Sequence, residues 1–209
     1  MARGRFITLE GTDGVGKSTQ AALLADALEA RGLEVVRLRE PGGTALGERV
    51  RALLLEPTEE PVSPIAELLL FEASRAQLVA RVIEPALACG AWVVCDRFYD
   101  STTAYQQGGR GLDAALVVRA NALGSCGLAP DLTLVLDMDP ALAFARGVAG
   151  AEPDRMEAEG LAFERAVADA YRALAVAEPA RVALVNAAGT PEQVHERVAA
   201  VLRERGLDE

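Results

Sequence analysis

The sequence predicts an α/β fold in three layers, with a five-stranded parallel sheet and helices on both of its faces. Along the 209 residues, short apolar runs alternate with longer stretches of helical periodicity, which is the pattern of strand–helix–strand units. The apolar runs are continuous rather than alternating, as expected where helices cover both faces of a sheet. A glycine-rich motif separates the first strand from the first helix, where a helix N-terminus can bind phosphate.

The elements are predicted in chain order from the hydrophobic pattern and from the residues that end helices. The predicted strands are Arg5 to Leu9, Glu34 to Leu38, Ala91 to Cys95, Leu132 to Leu136 and Arg181 to Val185. The predicted helices are Lys17 to Ala30, Thr44 to Leu55, Pro64 to Ala88, Tyr99 to Gln107, Asp113 to Leu123, Pro140 to Arg146, Glu157 to Ala177 and Pro191 to Arg205. Gly32 follows the first helix, and Asp139-Pro140 and Thr190-Pro191 each place a capping residue before a first-turn proline.

Composition limits the kind of protein. With 51% hydrophobic residues, the chain can build one substantial core, so residues 1–209 are expected to form a single domain. The net charge of −10, without a basic block, argues against nucleic-acid binding. Neither a signal peptide nor a membrane-spanning run is found, so we expect a cytoplasmic protein that binds no membrane. Cys89, Cys95 and Cys126 lack metal-site spacing and are expected to be reduced thiols, mostly in the core.

The glycine-rich motif indicates a phosphate-binding loop. It satisfies G-x-x-x-x-G-K-[ST] with Gly11, Thr12, Asp13, Gly14, Val15, Gly16, Lys17 and Ser18. Lys17 is expected to bind the β and γ phosphates, and the Ser18 hydroxyl to bind Mg²⁺. The alternative is an ordinary turn, which the strand before the motif and the helix after it argue against.

Two further segments follow predicted strands at the carboxyl edge of the sheet, where open α/β sheets bind ligands. In Asp96-Arg97-Phe98 the carboxylate can hold Mg²⁺ and the guanidinium can bind phosphate. A surface ion pair is the alternative. Arg39-Glu40-Pro41-Gly42-Gly43-Thr44 closes the second strand and is a weak signal by itself, as is Arg51 in the helix that follows.

Three helical or loop segments could contribute to a second substrate site. Phe71 and Arg75 are four residues apart on a helix and share a face that could hold a planar base; spacing alone favours a core Phe beside a surface Arg. The polar helix start Ser101 to Gln106 suits a sugar and a base, although it could serve only to cap the helix. The Gly-rich segment Arg146 to Arg155 has the composition of a lid, with a plain surface loop as the alternative.

Together these segments identify a resemblance that runs nearly end to end. The chain resembles a bacterial thymidylate kinase, which phosphorylates dTMP to dTDP with ATP. The resemblance rests on Glu10 to Thr19, Arg39 to Thr44, the pair Phe71 and Arg75, Asp96 to Phe98, and Ser101 to Gln106. It implies a P-loop nucleoside-monophosphate-kinase fold with a lid at about residues 146–157, ATP and Mg²⁺ as cofactors, in-line phosphoryl transfer in dTTP biosynthesis, and a homodimer.

The resemblance also implies roles for individual residues. Thymine would stack on Phe71 and bond to Arg75, Arg97 and Arg51 would hold the dTMP phosphate, and Asp13 would meet the sugar 3′-hydroxyl. The other acceptor-side residues would be Glu40, Pro41, Ser101, Thr102, Tyr105 and Gln106, with Tyr105 crowding the 2′ position. On the donor side, ATP would bind the phosphate loop and the residue after it, from Gly11 to Thr19, with adenine near Asn186 and Ala187. Ser18 and Asp96 would hold Mg²⁺, and Lys17, Asp96 and Arg97 would act in catalysis.

The phosphate loop contains no arginine between Thr12 and Val15. In this respect the chain is similar to the group of the family whose catalytic arginine lies in the lid. Arg146 and Arg155 are the candidates, and we predict Arg155. A kinase for another nucleotide or nucleoside and a nucleotide-dependent binding switch remain as alternative functions, which a panel of acceptor nucleotides would distinguish.

Overall fold

The computed structural model describes residues 3–56, 60–147, 155–156 and 159–207. Five parallel strands form one sheet in the order β2-β3-β1-β4-β5. The strands are β1 (Phe6–Glu10), β2 (Val35–Arg39), β3 (Trp92–Asp96), β4 (Leu132–Asp137) and β5 (Val182–Asn186). The central strands β1, β3 and β4 are almost wholly buried, whereas the edge strands β2 and β5 are partly exposed.

Each strand ends one residue later than predicted, and the added residue is polar in every case. These residues are Glu10, Arg39, Asp96, Asp137 and Asn186. They complete the ladders between neighbouring strands, as in the pairs Leu9 with Asp96 and Asp137 with Asn186. The carboxyl edge of the sheet is therefore lined by polar side chains that the hydrophobic pattern alone excluded from the strands.

The helices are close to their predicted positions. They are α1 (Lys17–Ala30), α2 (Ala45–Leu55), α3 (Pro64–Leu78), α4 (Glu84–Ala88), α5 (Tyr99–Thr102), α6 (Ala114–Gly124), α7 (Pro140–Gly147), α8 (Leu161–Ala177) and α9 (Pro191–Glu204). The predicted helix from Pro64 to Ala88 is interrupted by a π-helical turn, Val79–Ile83. Pro85 in the first turn of α4 has no N–H to donate to the preceding turn, so the widened turn accommodates its ring.

Helices cover both faces of the sheet, and side chains alternate between them. On one face, α1 and α9 pack against Ile7 and Leu9 of β1. On the other face, Phe6 of β1 packs with the π-helical turn and α4, and α8 packs beside β4 and β5. A second π-helical segment, Thr103–Gly109, continues α5 and packs on α8. This arrangement is the predicted three-layer α/β fold.

Several sequence predictions are corrected or lie outside the described residues. Cys95 is buried, but Cys89 and Cys126 are exposed, because they fall in turns at helix ends rather than in the core. Helix α8 begins at Leu161 rather than Glu157. Most of the predicted lid, residues 148–154 and 157–158, lies outside the described residues. Among the helices described, none is long and apolar enough to span a bilayer.

Candidate active site

A cleft of about 400 Å³ opens at the carboxyl edge of the sheet, beside the phosphate loop and the ends of β2 and β3. Most of the predicted site residues line it: Asp13, Gly14, Gly16, Lys17, Ser18, Thr19, Glu40, Pro41, Arg51, Phe71, Asp96, Arg97, Ser101, Thr102, Tyr105 and Gln106. The prediction missed three lining residues, Arg39, Leu55 and Met156. The structure thus brings together segments that are far apart in the sequence.

The phosphate loop owes its shape to glycines with positive φ. Gly11, Gly14 and Gly16 have φ angles of 135°, 79° and 96°, which L-residues with a Cβ rarely adopt. A Cβ on Gly11 would also lie 2.6 Å from the carbonyl oxygen of Leu136. Gly16 is the N-cap of α1 and supplies no side-chain cap, so the first N–H groups of the helix face the cleft as an anion site.

The side chain of Lys17 is buried against the phosphate loop. Its Nζ donates to the Thr12 carbonyl oxygen at 2.7 Å and lies 3.5 Å from Asp13 Oδ1. Burial, and next the positive charge of Arg97, lower the pKa of Lys17, while Asp13 opposes this shift. The ammonium group is therefore held beside the positions where phosphate oxygens would bind, as the motif predicts.

Arg97 adopts the left-handed backbone conformation, with φ 73°. Its Nη1 donates to Gly11 O at 3.2 Å and Ser101 Oγ at 3.1 Å, and its Nη2 donates to Asp13 Oδ1 at 2.5 Å and Tyr105 Oη at 3.0 Å. Burial raises the pKa of Asp13, but Arg97, Lys17 and Tyr105 together outweigh burial and hold that pKa well below its usual range. Such a backbone costs roughly 1–2 kcal/mol in a non-glycine residue, so the surrounding contacts must hold it.

Glu10 supplies much of that support, and sequence reasoning gave it no role. Its buried carboxylate accepts hydrogen bonds from Phe98 N at 2.7 Å, Ser101 Oγ at 2.6 Å and Tyr171 Oη at 2.7 Å. Burial, and next the charge of Asp100, raise the pKa of Glu10 to about 7. An acidic residue that ends an apolar strand directly before a phosphate loop is the signal that could have identified it.

The two residues predicted to bind a base occupy different positions. Phe71 is half-buried and lines the cleft. Arg75 is fully buried behind it and is not a lining residue: its Nε donates to Glu40 at 2.8 Å, Nη1 to Glu72 at 2.7 Å and Nη2 to Phe98 O at 3.3 Å. The alternative of a surface Arg is therefore wrong, since Arg75 is buried and forms an ion pair with Glu40.

Ser18 and Asp96 lie together, as predicted for a magnesium site. The Ser18 hydroxyl donates to Asp96 Oδ2 at 2.6 Å, and both residues line the cleft next to Lys17. Mg²⁺ is commonly held by one or two protein oxygens, with substrate phosphates and water completing its shell. The oxygen ligands present here fit that arrangement.

Comparisons with known proteins agree with this geometry. The model of the thymidylate kinase family matches residues 9–198. The thymidylate kinase of Chromohalobacter salexigens is 55% identical over 208 residues, which are 98% of each chain. That of Rhizorhabdus wittichii is 52% identical over 198 residues, 93% of this chain and 95% of the other. The chain belongs to the thymidylate kinase family.

Membership of this family establishes the reaction, the phosphorylation of dTMP to dTDP, and implies ATP as the donor. It also argues against a kinase for another nucleotide and against a binding switch. The crystal structure of thymidylate kinase from Ehrlichia chaffeensis matches with a TM-score of 0.80 at 35% identity, over 96% of this chain and 99% of that chain. This match confirms the predicted fold class.

The remaining predicted site residues do not line the cleft. Gly11, Thr12 and Val15 belong to the phosphate loop, Asn186 is the last residue of β5, and Ala187 follows it. Arg146 is exposed at the end of α7, with Nη1 3.8 Å from Met138 Sδ. Arg155 donates from Nε to Leu54 O at 2.7 Å and pairs with Glu67 at 2.7 Å. The structure therefore does not bring Arg155, the predicted catalytic arginine, to the phosphate loop.

Proposed function

We propose that the phosphate loop binds the ATP phosphates and that the opposite half of the cleft binds dTMP, so that the γ-phosphoryl group transfers in line between them. The supporting observation is the convergence on Asp13 of two cations, Lys17 from the phosphate loop and Arg97 from the end of β3. Phosphoryl transfer requires mainly positioning and charge neutralisation, and this pair offers both. The dTMP phosphate is already anionic, so the reaction requires no strong general base.

On the acceptor side, Phe71 stacks on thymine, while Arg97 and Arg51 bind the dTMP phosphate. Arg51 donates to Pro41 O at 3.2 Å, which holds its guanidinium at the cleft. Asp13 meets the 3′-hydroxyl, and Tyr105, whose ring lies under the Arg97 guanidinium at 4.9 Å, crowds the 2′ position. The remaining acceptor contacts are Glu40, Pro41, Ser101, Thr102 and Gln106. Arg75 acts on this wall through its ion pair with Glu40.

On the donor side, we propose that Ser18 and Asp96 hold Mg²⁺ and that adenine lies near Asn186 and Ala187. When bound, Mg²⁺ supplies positive charge to the β and γ phosphates. With no arginine in the phosphate loop, we place the chain in the lid-arginine group. Arg146 is the better placed of the two candidates, because its guanidinium has no carboxylate partner among the described residues.

We further propose a homodimer and a cytoplasmic location, as the family suggests. The helices α2, α3 and α6 pack side by side. The exposed apolar side chains on these helices support the proposed dimer. They are Leu46, Leu53, Ile65, Leu69, Val118 and Leu123. A cytoplasmic location suits an enzyme whose substrates are charged metabolites, and residues 1–209 are proposed to form a single domain.

The assignment of the two halves of the cleft is tested by a matched pair of variants. Lys17→Ala should lower kcat about 100-fold, because charge neutralisation is lost in the transition state, and should leave KM for dTMP within about threefold of wild type. Phe71→Ala should raise KM for dTMP about 10-fold through lost stacking, which is worth about 1–3 kcal/mol per base, with KM for ATP unchanged.

The measurement is a coupled ADP-release assay with dTMP, dUMP, dCMP and AMP as acceptors. An unchanged KM for dTMP in Phe71→Ala would refute the acceptor assignment. Wild-type turnover by Lys17→Ala would refute the donor assignment.

A further inference from the structure

Glu67 on α3 is a fully buried carboxylate that lies outside the cleft and that the reaction does not use directly. Donors from one segment of the chain converge on it, the π-helical segment and its C-cap: Gln106 Nε2 at 3.0 Å, and Nε and Nη2 of Arg110, each at 3.1 Å. A second part contributes Arg155, whose Nη2 lies 2.7 Å from Oε2. Burial raises the pKa of Glu67, but Arg110, Gln106 and Arg155 together outweigh burial and lower it. The carboxylate is therefore charged and fully engaged.

Arg155 is held by its backbone as well as by its side chain. Its N–H donates to Leu55 O at 3.2 Å and its Nε to Leu54 O at 2.7 Å, both at the C-terminal end of α2. Its guanidinium therefore bridges α2 and α3. To reach the phosphate loop, it would have to give up its ion pair with a buried carboxylate and its hydrogen bond to a helix-terminal carbonyl, and the loss of both contacts costs free energy.

The contacts of Arg155 determine where the next residue lies. Met156 is buried against Tyr105 in the core between α8 and the sheet, and it lines the cleft. Arg110, bound to the same Glu67, also reaches Met156 Sδ at 3.6 Å. Gln106, the third partner of Glu67, is itself a lining residue. A single carboxylate thus positions two side chains in the wall of the cleft.

We infer that Glu67 is a positioning residue for the acceptor half of the cleft, and that Arg155 is its anchor partner rather than the arginine that contacts the transferring phosphoryl group. Through Glu67, the ends of α2, α3 and the π-helical segment are fixed relative to Met156 and Gln106. The inference rests on the proposed binding of dTMP at this end of the cleft. It predicts that loss of the ion pair weakens dTMP binding and leaves the chemical step largely intact.

The test is a double-mutant cycle with Glu67→Gln, Arg155→Ala and the double variant. For each protein, kcat, KM for dTMP and KM for ATP are measured by ADP release, and dTMP binding is measured by calorimetry. Each single variant should raise KM and Kd for dTMP about 10-fold, lower kcat by less than about fivefold and leave KM for ATP unchanged. The double variant should be no worse than the worse single variant, because both changes remove the same contact.

A different pattern of kinetic constants would identify Arg155 as the arginine that contacts the transferring phosphoryl group. If Arg155 contacted the transferring group, Arg155→Ala would lower kcat about 100-fold or more with KM for dTMP unchanged, and the losses in the double variant would multiply. Either result overturns the inference. Arg146→Ala, measured alongside, should show that kcat pattern.

Two further variants keep the result interpretable. Arg155→Lys retains a cation that can reach Glu67 and should recover part of the dTMP affinity. If Glu67→Gln does not fold, the comparison of Arg155→Lys with Arg155→Ala still tests the inference. Phe71→Ala separates this inference from the proposed acceptor site. If Phe71→Ala raises KM for dTMP and the Glu67 and Arg155 variants do not, only the inference fails; if none of them does, the acceptor assignment itself fails.

Discussion

Asp13 lies between the two cations of the active site, and a second carboxylate lies behind it. The backbone N–H of Asp13 faces Glu164 in the first turn of α8. Glu164 is only 2% exposed, yet no described group completes a hydrogen bond of normal geometry to either of its oxygens. Burial, and next the charge of Asp13, raise the pKa of Glu164 to about 7, against the opposing effects of Arg97 and Lys17. This carboxylate therefore titrates near neutral pH.

This titration predicts a pH-dependent stability that one substitution removes. Because the folded-state pKa of Glu164 is raised above its ordinary value of 4.5, its contribution to stability is full below pH 4.5 and is lost as pH rises through about 7. Between pH 6 and 8.5 the loss is about 1 kcal/mol. Glu164→Gln cannot ionise, so its free energy of unfolding should gain about that amount relative to wild type over this interval.

The measurement is urea denaturation of both proteins at pH 6 and pH 8.5. A constant difference between wild type and variant at the two pH values would show that Glu164 stays in one protonation state.

At the scale of elements, α3 organises the half of the cleft that we propose binds dTMP. Glu67, Phe71 and Arg75 follow at intervals of four, so they share one face of this helix. The helix begins at the N-cap Ser63, whose hydroxyl accepts a hydrogen bond from Ala66 N at 3.3 Å. Its neighbours are α2 on one side and α6 on the other. Packing against α2 and α6 therefore determines where these three residues lie.

The contact between α3 and α6 depends on Gly124, the last residue of α6. A Cβ at this position would lie 1.8 Å from Glu72 Oε2, and Glu72 is a partner of Arg75. A glycine in a helix is commonly stabilised by replacement with Ala. Here we expect Gly124→Ala to lower the free energy of unfolding by about 2 kcal/mol, because the inserted methyl group overpacks the interface.

Chemical denaturation of four proteins checks this expectation: wild type, Gly124→Ala, Glu72→Ala and the double variant. Adding Gly124→Ala to Glu72→Ala should cost much less, since the carboxyl group that clashes most severely is gone. An equal cost in both backgrounds would place the strain elsewhere.

At the scale of the whole molecule, the apolar side chains on α2, α3 and α6 provide a test of the proposed dimer. Leu69 on α3 is 59% exposed, and Leu69→Asp would place a charge in a buried interface. We expect this variant to be monomeric by light scattering after size-exclusion chromatography, where wild type is dimeric. Val176→Asp is the matched control, because Val176 is 81% exposed on α8 and should leave the dimer intact. Equal masses for wild type and Leu69→Asp would contradict the proposed surface.

Much of this architecture could be predicted from the sequence, because the signals were local. Continuous apolar runs located all five strands, and the helix α1 was predicted at its observed bounds, Lys17–Ala30. The motif from Gly11 to Ser18 and the dipeptide Asp96-Arg97 were both predicted at the carboxyl edge of the sheet, and residues of both line the cleft there.

What could not be predicted depends on side chains that meet only after folding. Glu10 and Glu67 are fully buried carboxylates, and their roles depend on donors many residues away. Arg155 was assigned by its place in a lid-like segment, but its partner Glu67 lies on a helix that spacing does not connect to it. Arg75 was expected at the surface or at the base, and its burial follows from two carboxylates, Glu40 and Glu72.

Three cations around the cleft already have anionic partners within the protein: Arg97 and Lys17 share Asp13, and Arg39 pairs with Glu48. An incoming nucleotide therefore exchanges one anion for another and gains little from charge alone. With the contacts proposed for Phe71 and Asp13, a bare inorganic phosphate offers neither a ring nor a hydroxyl group to offset the partner it displaces. We therefore expect the resting site to discriminate against small anions, in a molecule whose net charge is −10.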